Sequence, residues 1–67
     1  MGFAENLKKL REAEGITTAE LAEYASVTQP TIVRYENGQK LPNVITGVLI
    51  AKRLGTTVEA LVNKTRD

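Results

Sequence analysis

The chain of 67 residues has no cysteine, no histidine and no tryptophan, and its aromatic residues are Phe3, Tyr24 and Tyr35. Without cysteine, neither a disulfide framework nor a thiolate metal site can form. Without histidine, the commonest metal ligand and the commonest general acid–base are gone. No convergent acid–base or metal-ligating set remains, so neither an enzyme nor a bound metal or cofactor is expected. No apolar run approaches the ~20 residues of a membrane span. The N-terminus lacks the apolar core of a signal peptide. A cytoplasmic chain with no membrane contact is the expectation.

Charge is also scarce, at a net of +1, but it is unevenly placed. Residues 1–26 carry Lys8, Lys9 and Arg11 against Glu5, Glu12, Glu14, Glu20 and Glu23, a net of −2. Residues 27–67 carry Arg34, Lys40, Lys52, Arg53, Lys64 and Arg66 against Glu36, Glu59 and Asp67, a net of +3. This asymmetry permits an anionic partner on the C-terminal side without requiring one. The length allows one domain near the lower limit for independent folding, spanning residues 1–67, and no separate ligand-sensing domain.

What is present is helical punctuation. Phe3, Leu7 and Leu10 recur at i, i+4, i+7, predicting a helix over 2–14 that ends at Gly15, with Ile16 placed to pack back on Leu10. Thr17-x-x-Glu20 is a capping box, and Ile16 with Leu21 is a hydrophobic staple. The second helix then runs to about Ala25, burying Leu21 and Ala22. Ser26-Val27 connects it to a third helix, capped by Thr28 with its hydrogen bond to the Thr31 amide, over Gln29 to about Asn37. Pro30 falls in the first turn, where its missing donor costs little. Val27 with Ile32 repeats the staple, and Ile32 and Tyr35 point inward. Asn43 caps a fourth helix, Val44 to Leu54, with an expected inward set of Val44, Gly47, Val48, Ala51 and Leu54. Gly47 costs ~1 kcal/mol against Ala, and a close helix contact there would explain it. Gly55 ends that helix. Thr57 caps a short fifth helix with Val58, Leu61 and Val62 apolar, and 63–67 form a polar tail. The expected fold is all-α, a bundle of five short helices.

Two helices over residues 16–38, joined by a turn of about three residues with Ala22 where they cross, make a helix-turn-helix arrangement. The second helix of such a pair enters the DNA major groove, and its N-terminal side chains reach base edges. Gln29 and Arg34 are residue types suited to that task.

Residues 7–62 resemble the lambda-repressor/Cro-like (XRE) family of helix-turn-helix transcriptional regulators. The similarity is carried by Leu10-Arg11-x-x-x-Gly15-Ile16, Leu21-Ala22, Val27-Thr28-x-x-Thr31-Ile32, Tyr35-Glu36-Asn37-Gly38, Pro42, Ala51-x-x-Leu54-Gly55 and Leu61. The resemblance implies a sequence-specific reader of double-stranded DNA, in the first place a repressor. It implies DNA contacts at Thr18, Thr28, Gln29, Pro30, Thr31, Arg34, Asn37 and Lys40. Gln29 would be the main base reader, bonding adenine N6 and N7. Pro30 either rests on a thymine methyl or serves only to start the helix. Arg34 reads guanine or holds a phosphate, and Asn37 and Lys40 touch the backbone. Arg11 and Glu36 match an ion pair with a structural role.

Two departures from the family pattern qualify this. Thr18 stands where many relatives carry Gln, and threonine is expected to be too short to brace Gln29. Ile45 and Leu49 stand where relatives usually carry polar residues. Either they form a face for a partner, first a homodimer, or helix 1 or helix 5 covers them. The rival readings are a protein-interaction module that keeps the fold, and an antitoxin with a protein partner.

Overall fold

The computed structural model describes residues 2–62, so the expected polar tail at 63–67 lies outside the described residues. The chain forms α1 (Phe3–Ala13), α2 (Thr18–Ala25), α3 (Gln29–Glu36), α4 (Val44–Arg53) and α5 (Val58–Val62), with no strand among the described residues.

Each start and stop has a local cause. Thr17 Oγ1 accepts from the Glu20 amide at 3.0 Å while the Thr17 amide donates to Glu20 Oε1 at 2.9 Å, so the capping box closes from both sides. Asn43 Oδ1 accepts from the Thr46 amide at 2.8 Å, and Thr57 Oγ1 from the Ala60 amide at 3.0 Å. Four helices end in the same double bond pattern, in which two successive amides fold back on the last turn. After α1 the Ile16 amide reaches the Arg11 carbonyl and the Gly15 amide that of Glu12. After α3 and α4, Gly38 and Gly55 take the left-handed residue, at φ +76° and +71°. After α2 that residue is Ser26, at φ +62°, the one non-glycine residue with positive φ among the described residues. Its Cβ gives the helix-turn-helix bend a strain that a glycine would not carry.

The core gathers Phe3, Leu7, Ile16, Leu21, Ala22, Ala25, Ile32, Tyr35, Ile50, Ala51, Leu54 and Leu61, with Leu10, Val27, Leu49 and Val58 packed at its margin. Phe3 meets Tyr35 edge to face, with ring centroids 6.4 Å apart. Asn6 Nδ2 donates to the Leu61 carbonyl at 2.7 Å, tying α1 to α5 across the length of the chain. α3 rests on α1 and α2, while α4 rests on α2 and α5. One flank of α3 is therefore gripped and the other is left to solvent.

The inward face of α4 is rotated from the expected one. Thr46, Gly47, Ile50, Ala51 and Leu54 are buried, whereas Val44 is 79% exposed and Val48 is 42% exposed. Seven of the ten residues of α4, VITGVLIAKR, are apolar or small on every side, so periodicity has no polar contrast to phase it. Nor is Gly47 needed for a close helix contact. A Cβ built there meets only Val58 Cγ2 at 3.9 Å and Pro42 Cγ at 4.0 Å, which is ordinary packing distance.

Candidate nucleic-acid interface

The exposed flank of α3 carries Gln29, Pro30, Val33, Arg34 and Asn37. At about 100° per residue, these positions occupy one sector of the helix, and Ile32 and Tyr35 occupy the opposite one. The sector is polar except for Pro30 and Val33. Thr28 opens it: its Oγ1 accepts from the Thr31 amide at 3.4 Å and lies 2.8 Å from the Thr31 hydroxyl. Thr31 is half-buried with that hydroxyl engaged, so it stands at the side of the surface rather than on its crest.

Gln29 does not stand alone. Its Nε2 donates to Thr18 Oγ1 at 2.9 Å, across eleven residues of chain. The expectation that threonine is too short to brace Gln29 is thereby overturned. Thr18 is the first residue of α2 and Gln29 the first of α3, and the bend at Ser26 sets these two helix starts side by side. The short side chain suffices because the backbones already converge.

This bond fixes more than position. An amide nitrogen carries two hydrogens, and one is committed to Thr18. The second hydrogen and the carbonyl oxygen Oε1 have no partner among the described residues, so the amide keeps one donor and one acceptor for a ligand. Adenine presents the complementary pair, N7 as acceptor and N6 as donor, in the major groove. Because Thr18 Oγ1 accepts, its own proton remains available to a phosphate oxygen.

The cations of this flank are also uncommitted. Among the described residues neither Arg34 nor Lys40 makes an ion pair, and both are exposed. Arg11 is the opposite case. Its Nε and Nη2 donate to the two carboxylate oxygens of Glu36, the latter at 3.2 Å, and its Nη1 donates to the Ile16 carbonyl at 2.8 Å. The hydrogen bond to Glu36 holds the Arg11 guanidinium above its ordinary pKa. With side chains only 12% and 7% exposed, this pair fastens α1, the loop after it and α3 together behind the candidate surface.

Ile45 and Leu49 do not share one surface as expected. Ile45 is 73% exposed, but Leu49 is half-buried against the core. Ile45 instead shares the exposed side of α4 with Val44 and Val48, and Leu41 and Val44 line a groove of about 180 Å³ together with Gly47, Val58 and Leu61. Sequence reasoning overlooked this surface because it placed Val44 and Val48 inside. It also passed over Val33, whose only signal was an apolar residue at an outward position of α3.

A helix-turn-helix family model matches residues 7–61. The chain belongs to the XRE-type helix-turn-helix family. Within this family it is 32% identical over 63 residues to the HTH-type transcriptional activator BcrR of Enterococcus faecalis, covering 94% of this chain. It spans about a third (31%) of that relative's length. Among solved structures, the P22 c2 repressor in complex with a synthetic operator superposes with a TM-score of 0.91 over 94% of this chain and 96% of that one, at 21% identity, which shows the shared fold. The hydroxypropylphosphonic acid epoxidase of S. wedmorenis matches with a TM-score of 0.81 and 38% identity over 92% of this chain but 33% of that protein. The helix-turn-helix unit thus occurs in longer proteins of different names.

Proposed function

We propose that this chain reads duplex DNA sequence-specifically and regulates transcription in the bacterial cytoplasm, with α3 in the major groove. The observation that supports this reading is the Gln29–Thr18 hydrogen bond, which anchors the exposed Gln29 side chain at the first turn of α3 with a donor and an acceptor to spare. Family membership and the names of the relatives point the same way. Gln29 takes adenine through N6 and N7. Arg34 takes guanine or a phosphate. Thr18, Thr28, Asn37 and Lys40, with the amides at the start of α2, hold the backbone and set the register. Repression follows where the bound site overlaps a promoter. The low net charge gives modest non-specific affinity and a shallow salt dependence.

The exposed apolar residues Leu41, Val44, Ile45 and Val48 favour a homodimer through α4, with two recognition helices spaced by about one DNA turn, ~34 Å, on a pseudo-palindrome. Were the same face to seat a different protein, the chain would act as an interaction module. Sedimentation of the wild type and of Ile45→Glu separates the cases: loss of a dimer in the variant supports the homodimer, and equal masses remove it.

Selection from a randomised duplex library at low salt tests the reading as a whole. An enriched motif containing adenine supports it, and the absence of any enriched motif rejects it.

A further inference from the structure

Val33 is an apolar residue that stands outside the core, on the exposed flank of α3. It is 39% exposed and belongs neither to the core nor to the residues packed at the core's margin. Its β-branched side chain is a poor helix former, so a solvent-facing position would be better filled by Ala, Lys or Glu. The other large exposed apolar residues lie elsewhere, most of them along α4 and its flanks. On α3 Val33 falls one turn after Gln29 and Pro30, about 40° round from Gln29 and about 60° from Pro30, between the two. An apolar side chain is thus set in the middle of a surface whose other crest residues past Pro30 are polar.

We propose that Val33 is a specificity-determining contact that, together with Pro30, reads the 5-methyl group of thymine next to the adenine taken by Gln29. This inference rests on the reading of α3 as a major-groove helix. The thymine methyl is the one apolar group that base edges present in that groove. Guanine and adenine offer polar atoms at the corresponding edge, and cytosine offers an amine with no methyl beside it. A valine placed against these gains nothing and desolvates them, whereas against a methyl it removes apolar surface from water. The half-site preferred by this chain is therefore rich in A·T pairs around the Gln29 contact, with at least one thymine selected by its methyl alone.

The test uses the motif enriched from a randomised duplex library. Each thymine of the motif is replaced singly by deoxyuridine, which deletes the methyl and leaves all hydrogen-bonding groups in place. Affinity is measured for the wild type and for Val33→Ala, with thermal melting confirming that the variant folds. At one thymine the wild type loses about fourfold, the worth of one methyl returned to water, while Val33→Ala binds both duplexes alike. If every deoxyuridine weakens the two proteins equally, or weakens neither, Val33 is no methyl reader although α3 still reads DNA. If the library enriches no motif, the DNA-reading proposal falls and this one with it.

Discussion

Gln29 Nε2 donates to Thr18 Oγ1 at 2.9 Å, joining the first residue of α3 to the first residue of α2. The bond lies on an exposed surface, so its value to folding is small. Its proposed value to recognition is position, because a bonded amide head is held beside the start of α2 instead of swinging freely in solvent. Thr18→Val keeps the shape and removes the acceptor. The variant should melt within a few degrees of the wild type, yet bind its selected site about fivefold more weakly, the worth of one hydrogen bond of ~1 kcal/mol. It should also tolerate guanine in place of the contacted adenine better than the wild type does. Fluorescence anisotropy on the two duplexes measures both effects, and an unchanged adenine preference would show that the brace does not set the amide.

Arg11 and Glu36 make the opposite prediction, with stability rather than binding as the readout. Both side chains are nearly enclosed. Replacing Glu36 with Gln, or Arg11 with Met, strands a buried charge and should cost about 3 kcal/mol in urea unfolding. The double replacement Arg11→Met with Glu36→Leu should recover much of that loss, because it strands neither charge. A double variant that loses the sum of the two single losses would mean that the charges act independently.

Two backbone positions offer gains. Ser26 takes a left-handed conformation that glycine adopts without strain, and Gly47 occupies a helix interior with room for a methyl. Ser26→Gly and Gly47→Ala should each stabilise the fold by about 0.5–1 kcal/mol. For a domain this small that corresponds to several degrees in Tm. A fall in Tm for Gly47→Ala would indicate tighter packing around Val58 and Pro42 than the distances give.

Tyr35 supplies a pH dependence. Burial raises the pKa of its hydroxyl above the ordinary tyrosine value. The unfolded chain therefore ionises first as pH climbs past about 10. Stability contributed by neutral Tyr35 is fully present below that pH and is lost as pH rises through the higher folded value. Tyr35→Phe keeps the edge-to-face ring against Phe3 but removes the ionisation. Melting curves from about pH 8 to about pH 11, on either side of the ordinary tyrosine value of ~10, should show a steeper decline for the wild type than for the variant.

Much of the fold was legible because its signals are local. The Thr17–Glu20 box, the Thr28 and Asn43 caps and the glycines after α1, α3 and α4 all lie within a few residues of what they control. What stayed hidden depends on distance or on contrast. Ser26 gave no sign of its left-handed backbone, since serine is not the residue that usually takes it. The face of α4 was misjudged because Val44 and Val48 are as apolar as the buried Ile50. The Asn6–Leu61 and Gln29–Thr18 bonds join residues that only the folded chain brings together. At the interface, residue types pointed to Gln29 and Arg34, but whether Thr18 could reach Gln29 depended on how closely two helix starts converge.

In the proposed complex Gln29, held by Thr18, reads adenine through N6 and N7. The most direct measurement replaces the contacted adenine of the selected site with 7-deazaadenine, which keeps N6 and deletes the N7 acceptor. Wild-type affinity should fall about tenfold, within the ~1–3 kcal/mol of such a bidentate contact, and Gln29→Ala should bind the two duplexes equally. An equal loss for both proteins, or none for the wild type, would contradict it.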